Sequence, residues 1–147
     1  MSDAGRYAAM EAEIVAALTG LAGVATIGKT LSLEDLVQRD GIRKPAVGII
    51  EGAAEATGEK IGIGSRRIPA RVTWEIAVVV QNQRGAVQGR PTLRSILEEV
   101  RDRLHCLDST GTRGSQYRWR SDAPTQVPAD DLVAAIATFD VNVIFGS

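Results

Sequence analysis

The clearest pattern in the chain is an alternation of apolar and polar positions from Arg71 to Val80. Every second residue of this run is apolar: Val72, Trp74, Ile76, Val78 and Val80. The first positions between them are polar: Arg71, Thr73 and Glu75. Such period-two alternation is typical of a β-strand with one buried face. We therefore predict a strand here that places one face in the core.

A second long alternation predicts the last strand of the chain. Its apolar side holds Val133, Ala135, Ala137, Phe139, Val141, Val143 and Phe145. Its other side carries Thr138, Asp140 and Asn142, which predicts a solvated or contact-making face. Shorter strands are predicted at 24–27, at 46–51 after Pro45, and around Tyr117, Trp119 and Val127, where Pro124 and Pro128 separate short extended pieces.

Two segments have the 3.6-residue period of amphipathic helices. The first begins at Ser2 or Asp3, ends at Leu18, and carries an apolar stripe. The second runs from Thr92 to Leu107, with Pro91 or Thr92 as its start signal. A helix with one apolar stripe needs a partner surface, and we expect both stripes to lie on the same face of the predicted sheet.

The remaining segments are predicted to be connections. Residues 31–40 mix apolar and acidic side chains and suit either a short helix or an extended arm. The glycine-rich stretch from Gly52 to Arg67 predicts a long, flexible hairpin tip. The order of elements predicts a single α+β domain over residues 1–147, with a mainly antiparallel mixed sheet and two helices packed on one face.

Composition is compatible with a globular domain and argues against two classes of partner. The hydrophobic fraction is 44% and the charged fraction is 24%, as in ordinary globular proteins. A formal net charge of −1 gives no general attraction to nucleic acid or to anionic membranes. We expect no signal peptide and no membrane span, because no apolar run approaches the roughly 20 residues that a bilayer requires. With Cys106 as the single cysteine, we expect no internal disulfide and a reducing compartment.

Three groups of residues could carry chemistry, and each fits a structural interpretation better. The segment 58–65 is glycine-rich but lacks the Gly-Lys-Ser/Thr ending of a phosphate loop. His105 and Cys106 are adjacent on a predicted helix, so their side chains point about 100° apart and cannot act as base and nucleophile. Asp130 and Asp131 form one acidic pair without a third ligand. We expect no catalytic, metal or cofactor site.

Arginines near aromatic residues give the best candidate for a binding surface. Arg66 and Arg67 lie in the predicted hairpin, and Arg113, Arg118 and Arg120 surround Trp119. Arginine and tryptophan are enriched in protein–protein interfaces, although arginine with aromatics can also bind single-stranded nucleic acid. The balanced net charge favours a protein interface made by these six residues.

Five segments together resemble the tail terminator proteins of tailed bacteriophages, in particular the Mu-like group of small prophage tail proteins. The segments are the opening helix 9–18, Lys44-Pro-Ala-Val-Gly-Ile-Ile50, the strand and turn 73–85, the helix 93–104 and the last strand to Phe145. They follow one another in order through nearly the whole chain. Residues 31–44 and 111–127 have no counterpart that can be placed, so their contacts are not implied by the resemblance.

The resemblance implies a structural, non-enzymatic role at the end of a phage tail. It implies a homohexameric ring that caps the tail tube, stops tube polymerisation and offers a docking surface for the head. The implied partners are copies of the chain itself, the tail tube protein and a head–tail connector or neck protein, with DNA only as passing cargo and no membrane. The implied location is the virion tail, assembled in the cytoplasm of the bacterial host.

Three other functions stay open at this point. A head–tail connector or neck protein would share the small ring-forming design. A small-ligand-binding or enzymatic domain would need a concave pocket with converging polar groups. A nucleic-acid-binding module would show steeply salt-dependent binding to DNA.

Overall fold

The computed structural model describes residues 2–38, 44–59, 66–81, 89–109, 115–125 and 131–146. Within these ranges the chain forms three helices and five strands. In chain order they are α1 (Asp3–Leu18), β1 (Thr26–Lys29), α2 (Leu33–Gln38), β2 (Ala46–Ala56), β3 (Ile68–Gln81), α3 (Gly89–Leu104), β4 (Arg118–Thr125) and β5 (Leu132–Phe145).

The strands form one mixed sheet in the order β1-β2-β3-β5-β4. β1 and β2 are parallel, and the other three pairs are antiparallel. β3 and β5, the two strands with the longest alternation, pair without interruption from Ile68 opposite Phe145 to Gln81 opposite Leu132. The predicted α+β class with a mainly antiparallel sheet is confirmed.

The main core lies between this sheet and the helices α1 and α3. Its largest buried side chains include Trp74 and Phe139 from the sheet, Met10 and Ile14 from α1, and Leu104 from α3. Each helix supplies the apolar stripe that its sequence predicted, and both stripes lie on the same side of the sheet. Packing of two helices on one face is therefore confirmed.

The short helix α2 lies on the opposite side of the sheet. Leu33 and Leu36 form a second, smaller apolar cluster there with Ala46, Ala77, Val79 and Ala134. A β-carbon added to Gly48 would lie 2.6 Å from Cγ2 of Thr30 and 3.1 Å from Cδ2 of Leu36. Glycine at this position lets the segment around α2 approach the sheet closely. The helical alternative for residues 31–40 therefore holds for Leu33–Gln38.

Several predicted boundaries differ from the structure. β2 continues to Ala56, so the first five residues of the predicted hairpin tip are strand, and residues 60–65 lie outside the described ranges. Pro124 lies inside β4, which tolerates it because β4 is an edge strand whose outer side needs no amide donor. The second helix ends three residues earlier than predicted, at Leu104. Val127 lies outside the described residues.

Cys106 forms the C-terminal end of α3 rather than part of the apolar surface. Its φ of 67° is in the left-handed region that commonly terminates helices. Its amide donates to the carbonyl oxygen of Tyr117, 2.8 Å away, and its thiol is exposed. Because α3 ends at Leu104, Cys106 lies outside the apolar stripe of the helix and does not enter the core.

Tyr117, the buried residue directly before β4, connects this part of the chain to α1. The hydroxyl of Tyr117 donates to Oε2 of Glu13, 2.8 Å away, and the hydroxyl of Ser109 donates to the same oxygen at 2.9 Å. Burial is the main cause that raises the pKa of Tyr117 above its ordinary value, and the neighbouring Glu13 carboxylate raises it further. The phenol therefore acts as a protonated donor that ties two distant segments together.

We predict that Tyr117→Phe reduces the loss of stability at alkaline pH. Above about pH 10 the unfolded phenol releases its proton while the folded one keeps it, so the free energy of unfolding of the wild type falls as pH rises. Removing the hydroxyl should cost about 1–3 kcal/mol at about pH 8, because the hydrogen bond to Glu13 is lost. Urea unfolding at about pH 8 and about pH 11 measures both effects.

Tyr7→Phe is the matched control. Burial, then the charges of Glu51 and Asp3, raise the pKa of Tyr7 as well, but this side chain is only half-buried. We expect this variant to retain more of the alkaline loss than Tyr117→Phe. Equal slopes of stability against pH in Tyr117→Phe and the wild type would contradict the prediction.

Candidate functional site

Half of the sheet face that carries α2 is polar and is not covered by any described helix. α2 lies over the first part of β2 and the last part of β3. Beyond it, the remaining half of this face is formed by residues from three strands, and we call this surface the open face. The open face consists of Arg71, Thr73 and Glu75 on β3, Thr138, Asp140 and Asn142 on β5, and Arg118, Arg120 and Ser121 on β4.

Asp140 is at the centre of the open face and binds arginines from both neighbouring strands. Arg120 donates from Nε to Oδ2 of Asp140 and from Nη2 to Oδ1 of the same carboxylate. The second hydrogen bond is 3.1 Å long. Nε of Arg71 lies 3.8 Å from Oδ2 of the same carboxylate. Asp140 is only 7% exposed. The hydrogen bond and the negative charge of Asp140 raise the pKa of the Arg120 guanidinium.

A local irregularity of β4 brings two arginines to this face. Arg118 is opposite Asp140, Trp119 is opposite Phe139, and Ser121 is already opposite Thr138. Arg120 is therefore an extra residue in a β-bulge, and its side chain can reach the same carboxylate that faces Arg118. Arg71 and Arg120 share the carboxylate of Asp140, and Arg118 is opposite Asp140 in the strand pairing.

Trp119 lies on the other side of the sheet from these arginines. The guanidinium of Arg101, on α3, lies 5.1 Å from the centre of its ring, within the range of a cation–π contact. Its indole N–H donates to Oδ1 of Asp122, 2.9 Å away. Trp119 is half-buried and uses both its ring and its N–H within the fold.

The remaining residues of the predicted interface lie at one end of the sheet. Arg66 is exposed and Arg67 is half-buried, directly before β3 and four residues from Arg71 along the chain. β4 begins further in, opposite Asp140 on β5. The structure thus brings Arg118 and Arg120 together, puts Arg66 and Arg67 at the outer end of β3, and separates Trp119 from them. Arg113 lies outside the described residues.

Sequence reasoning missed two contributors, Arg71 and Asp140. Alternation placed each on a polar strand face, but the register that joins them through β3, β5 and β4 could not be read from the sequence. It also missed Arg101 as the arginine that contacts Trp119. The spacing of 18 residues between them crosses a loop, and no local pattern indicates such a pair.

The other residues that could carry chemistry have structural roles within the described part of the chain. Nδ1 of His105 accepts from the backbone amide of Trp119, 3.1 Å away, so this imidazole covers part of the edge of β4. Asp131 is exposed at the start of β5, and Asp130 lies outside the described residues, as does most of the 58–65 segment. Among the described residues, no group of three His, Cys, Asp or Glu side chains could hold a metal ion.

None of the described helices is both long enough and apolar enough to cross a membrane. The guanidinium groups of the open face suit the recognition of negatively charged groups on a partner. Guanidinium groups at the edge of a sheet bind carboxylates or phosphates through directed hydrogen bonds, and they need no reacting group nearby.

Comparison with known proteins identifies a shared fold. No protein family and no curated protein matches the sequence. Among solved structures, 33 chains match. One of them, a chain from the virion of a native gene transfer agent particle, superposes with a TM-score of 0.62 at 14% sequence identity. The superposition covers 94% of this chain and 96% of the other, so the two chains share one fold from end to end.

We predict that Asp140→Asn destabilises the protein by about 1–2 kcal/mol, because the variant leaves Arg71 and Arg120 close together without their common counter-charge. Arg120→Gln should destabilise it less, since Arg71 remains beside the carboxylate. Urea unfolding measures both values. Asn142→Ala, two residues along the same face of β5 and exposed, is the control and should have little effect. A stability of Asp140→Asn equal to that of Asn142→Ala would refute the role given to Asp140.

Proposed function

We propose that this chain is a structural protein of a phage or phage-like particle and that it caps the tail tube as a homohexameric ring. In this role it ends tube polymerisation and provides the surface on which the head or neck docks. The observation that carries the proposal is the fold shared from end to end with a chain of a gene transfer agent virion. The role itself is non-enzymatic.

The superposition on the virion chain supports a role that the whole fold performs, and not one that a small part of it performs. Almost all of both chains superposes, 94% of this one and 96% of the other. The resemblance of five sequence segments to tail terminators of the Mu-like group narrows the proposal from the particle to the tail end. Fold alone does not specify function, and the sequence resemblance provides the finer part.

The surface chemistry suits assembly. A head-to-tail ring requires each subunit to present two different, complementary surfaces. The open face is one charged surface that can serve such a contact. Its arginines lie outside the apolar clusters, so the contact would not involve the core. Arg66, Arg67, Arg118 and Arg120 are the described residues we assign to contacts with neighbouring subunits or with the tube. We also retain Arg113 and Trp119 in this assignment from the sequence.

The proposed partners follow from the position at the tube end. They are other copies of this chain, the tail tube protein and a head–tail connector or neck protein, with DNA only passing through. The proposed location is the virion tail, with assembly in the cytoplasm of the bacterial host.

Deleting the gene from a particle-producing strain tests the proposal, with tail length measured by negative-stain electron microscopy. We expect overlong tubes without heads, and we expect normal particles when the gene is supplied again. Tails of normal length that fail to join heads would instead identify a connector. Intact, functional particles would refute a structural role.

A variant without a stable fold provides the control for complementation. Trp74→Ala removes a large buried side chain and should cost about 3–5 kcal/mol, so it should restore normal tails poorly or not at all. If it restored them as well as the wild type, the folded protein would not be what terminates the tube.

A further inference from the structure

The two edges of the sheet differ at the end where the open face lies. β1 pairs with β2 only from Ala46 to Ile49, whereas β2 continues to Ala56. Beyond Ile49 the outer edge of β2 has no neighbouring strand among the described residues. Around Glu51, where β4 also pairs with β5, the sheet is four strands wide, and its edges are β2 and β4, about 14 Å apart at ordinary strand spacing. β4 begins opposite Asp140, so Glu55 lies beyond the start of β4 along the sheet.

The free part of β2 is small, exposed and acidic. Its residues are Glu51, Gly52, Ala53, Ala54, Glu55 and Ala56, and all of them are exposed except the half-buried Gly52. A β-bulge between Glu51 and Ala54 changes the alternation at this point. Glu51 consequently shares a side with Trp74, while Glu55 is opposite Arg71 on the other side. The edge thus carries a carboxylate on each of its two sides.

The other edge, β4, is basic. Arg118 and Arg120 are exposed there, and Arg120 is held in place by Asp140. Backbone pairing along β4 is restricted at both ends: His105 accepts from the amide of Trp119, and Pro124 has no amide to donate. Recognition at β4 consequently depends on its side chains.

We infer that the acidic edge of β2 on one copy binds the arginine-bearing edge of β4 on the next copy. This inference rests on the proposed function and names the two complementary surfaces of the ring. The occupant is a second copy because the chain itself carries both charges on opposite edges of one sheet. Repeating the contact joins subunits head to tail, which is the arrangement that closes into a ring.

The charges also disfavour the competing symmetric contacts. Pairing β2 with β2 would bring Glu51 and Glu55 of two copies together, and pairing β4 with β4 would do the same for Arg118 and Arg120. Like charges brought together across an interface suppress that arrangement. Exposed ion pairs are individually weak and are screened by salt, so the contact should weaken as ionic strength rises.

Single-cysteine variants test the inference directly. In a Cys106→Ser background, Glu55→Cys and Arg118→Cys place one thiol on each edge. A short bis-maleimide should crosslink a mixture of the two variants and should crosslink neither variant alone. A mixture of Glu55→Cys with Arg94→Cys is the control, because Arg94 is exposed on α3, away from both edges.

The crosslinking is performed with concentrated protein and with assembled tails, so that a ring that forms only on the tube is also examined. Mixed dimers above the control in either sample support the inference. Yields equal to the control in both samples overturn it, and so does crosslinking of either variant by itself.

Charge exchange provides a second test. With the thiols moved to the neighbouring exposed positions, as Ala53→Cys and Ser121→Cys, Glu55→Arg and Arg118→Glu should each lower the mixed-dimer yield by about fivefold, and combining one with the other on partner copies should restore it. Glu55→Gln and Arg118→Gln remove charge without reversing it and should have smaller effects. An unchanged yield in both reversed variants would overturn the inference.

The deletion strain separates failure of this inference from failure of the proposed function. If the deletion gives overlong tails and both reversed variants still restore normal length, the edge contact is wrong while the terminating role stands. If the deletion leaves tails normal, the terminating role itself fails.

Discussion

The uninterrupted pairing of β3 with β5 is the constraint on which the rest of the structure depends. The two strands match from Ile68 and Phe145 at one end to Gln81 and Leu132 at the other. Because side chains alternate between faces, this one register fixes which residues enter the core and which form the open face. A slip of one residue would bring Asp140 under the helices and turn Phe139 away from them.

The two sides of the sheet have different roles in the molecule. One side is covered by α1 and α3 and contains the main core. On the other side, α2 covers only one half, and its close approach needs the glycine at position 48. The other half carries polar residues, and the carboxylate of Asp140 holds Arg71 and Arg120 there. Exposed charges of the open face other than Asp140 can therefore change with little effect on the core.

Much of the fold, but less of the candidate site, could be predicted from the sequence. Long alternations and helical stripes identified β3, β5, α1 and α3 because each element buries one continuous face. The second half of β2 was assigned to a loop, since its glycine and alanine side chains are too small to show alternation. The arginines were found by type, but Asp140 and Arg101 were not assigned as their partners, because strand register and helix packing join residues that are distant in sequence.

The bulge between Glu51 and Ala54 makes the charges of this edge insensitive to the loss of one residue. It adds one residue to β2 that β3 does not match. Deleting a single residue there would restore regular pairing without loss of core side chains. Glu55 would stay opposite Arg71, on the side away from Glu51, because three-residue spacing in a regular strand places two side chains on opposite faces. A natural deletion of one codon at this position would thus preserve the charge on each side of the edge, whereas a deletion in a regular part of β2 would move every following side chain to the other face.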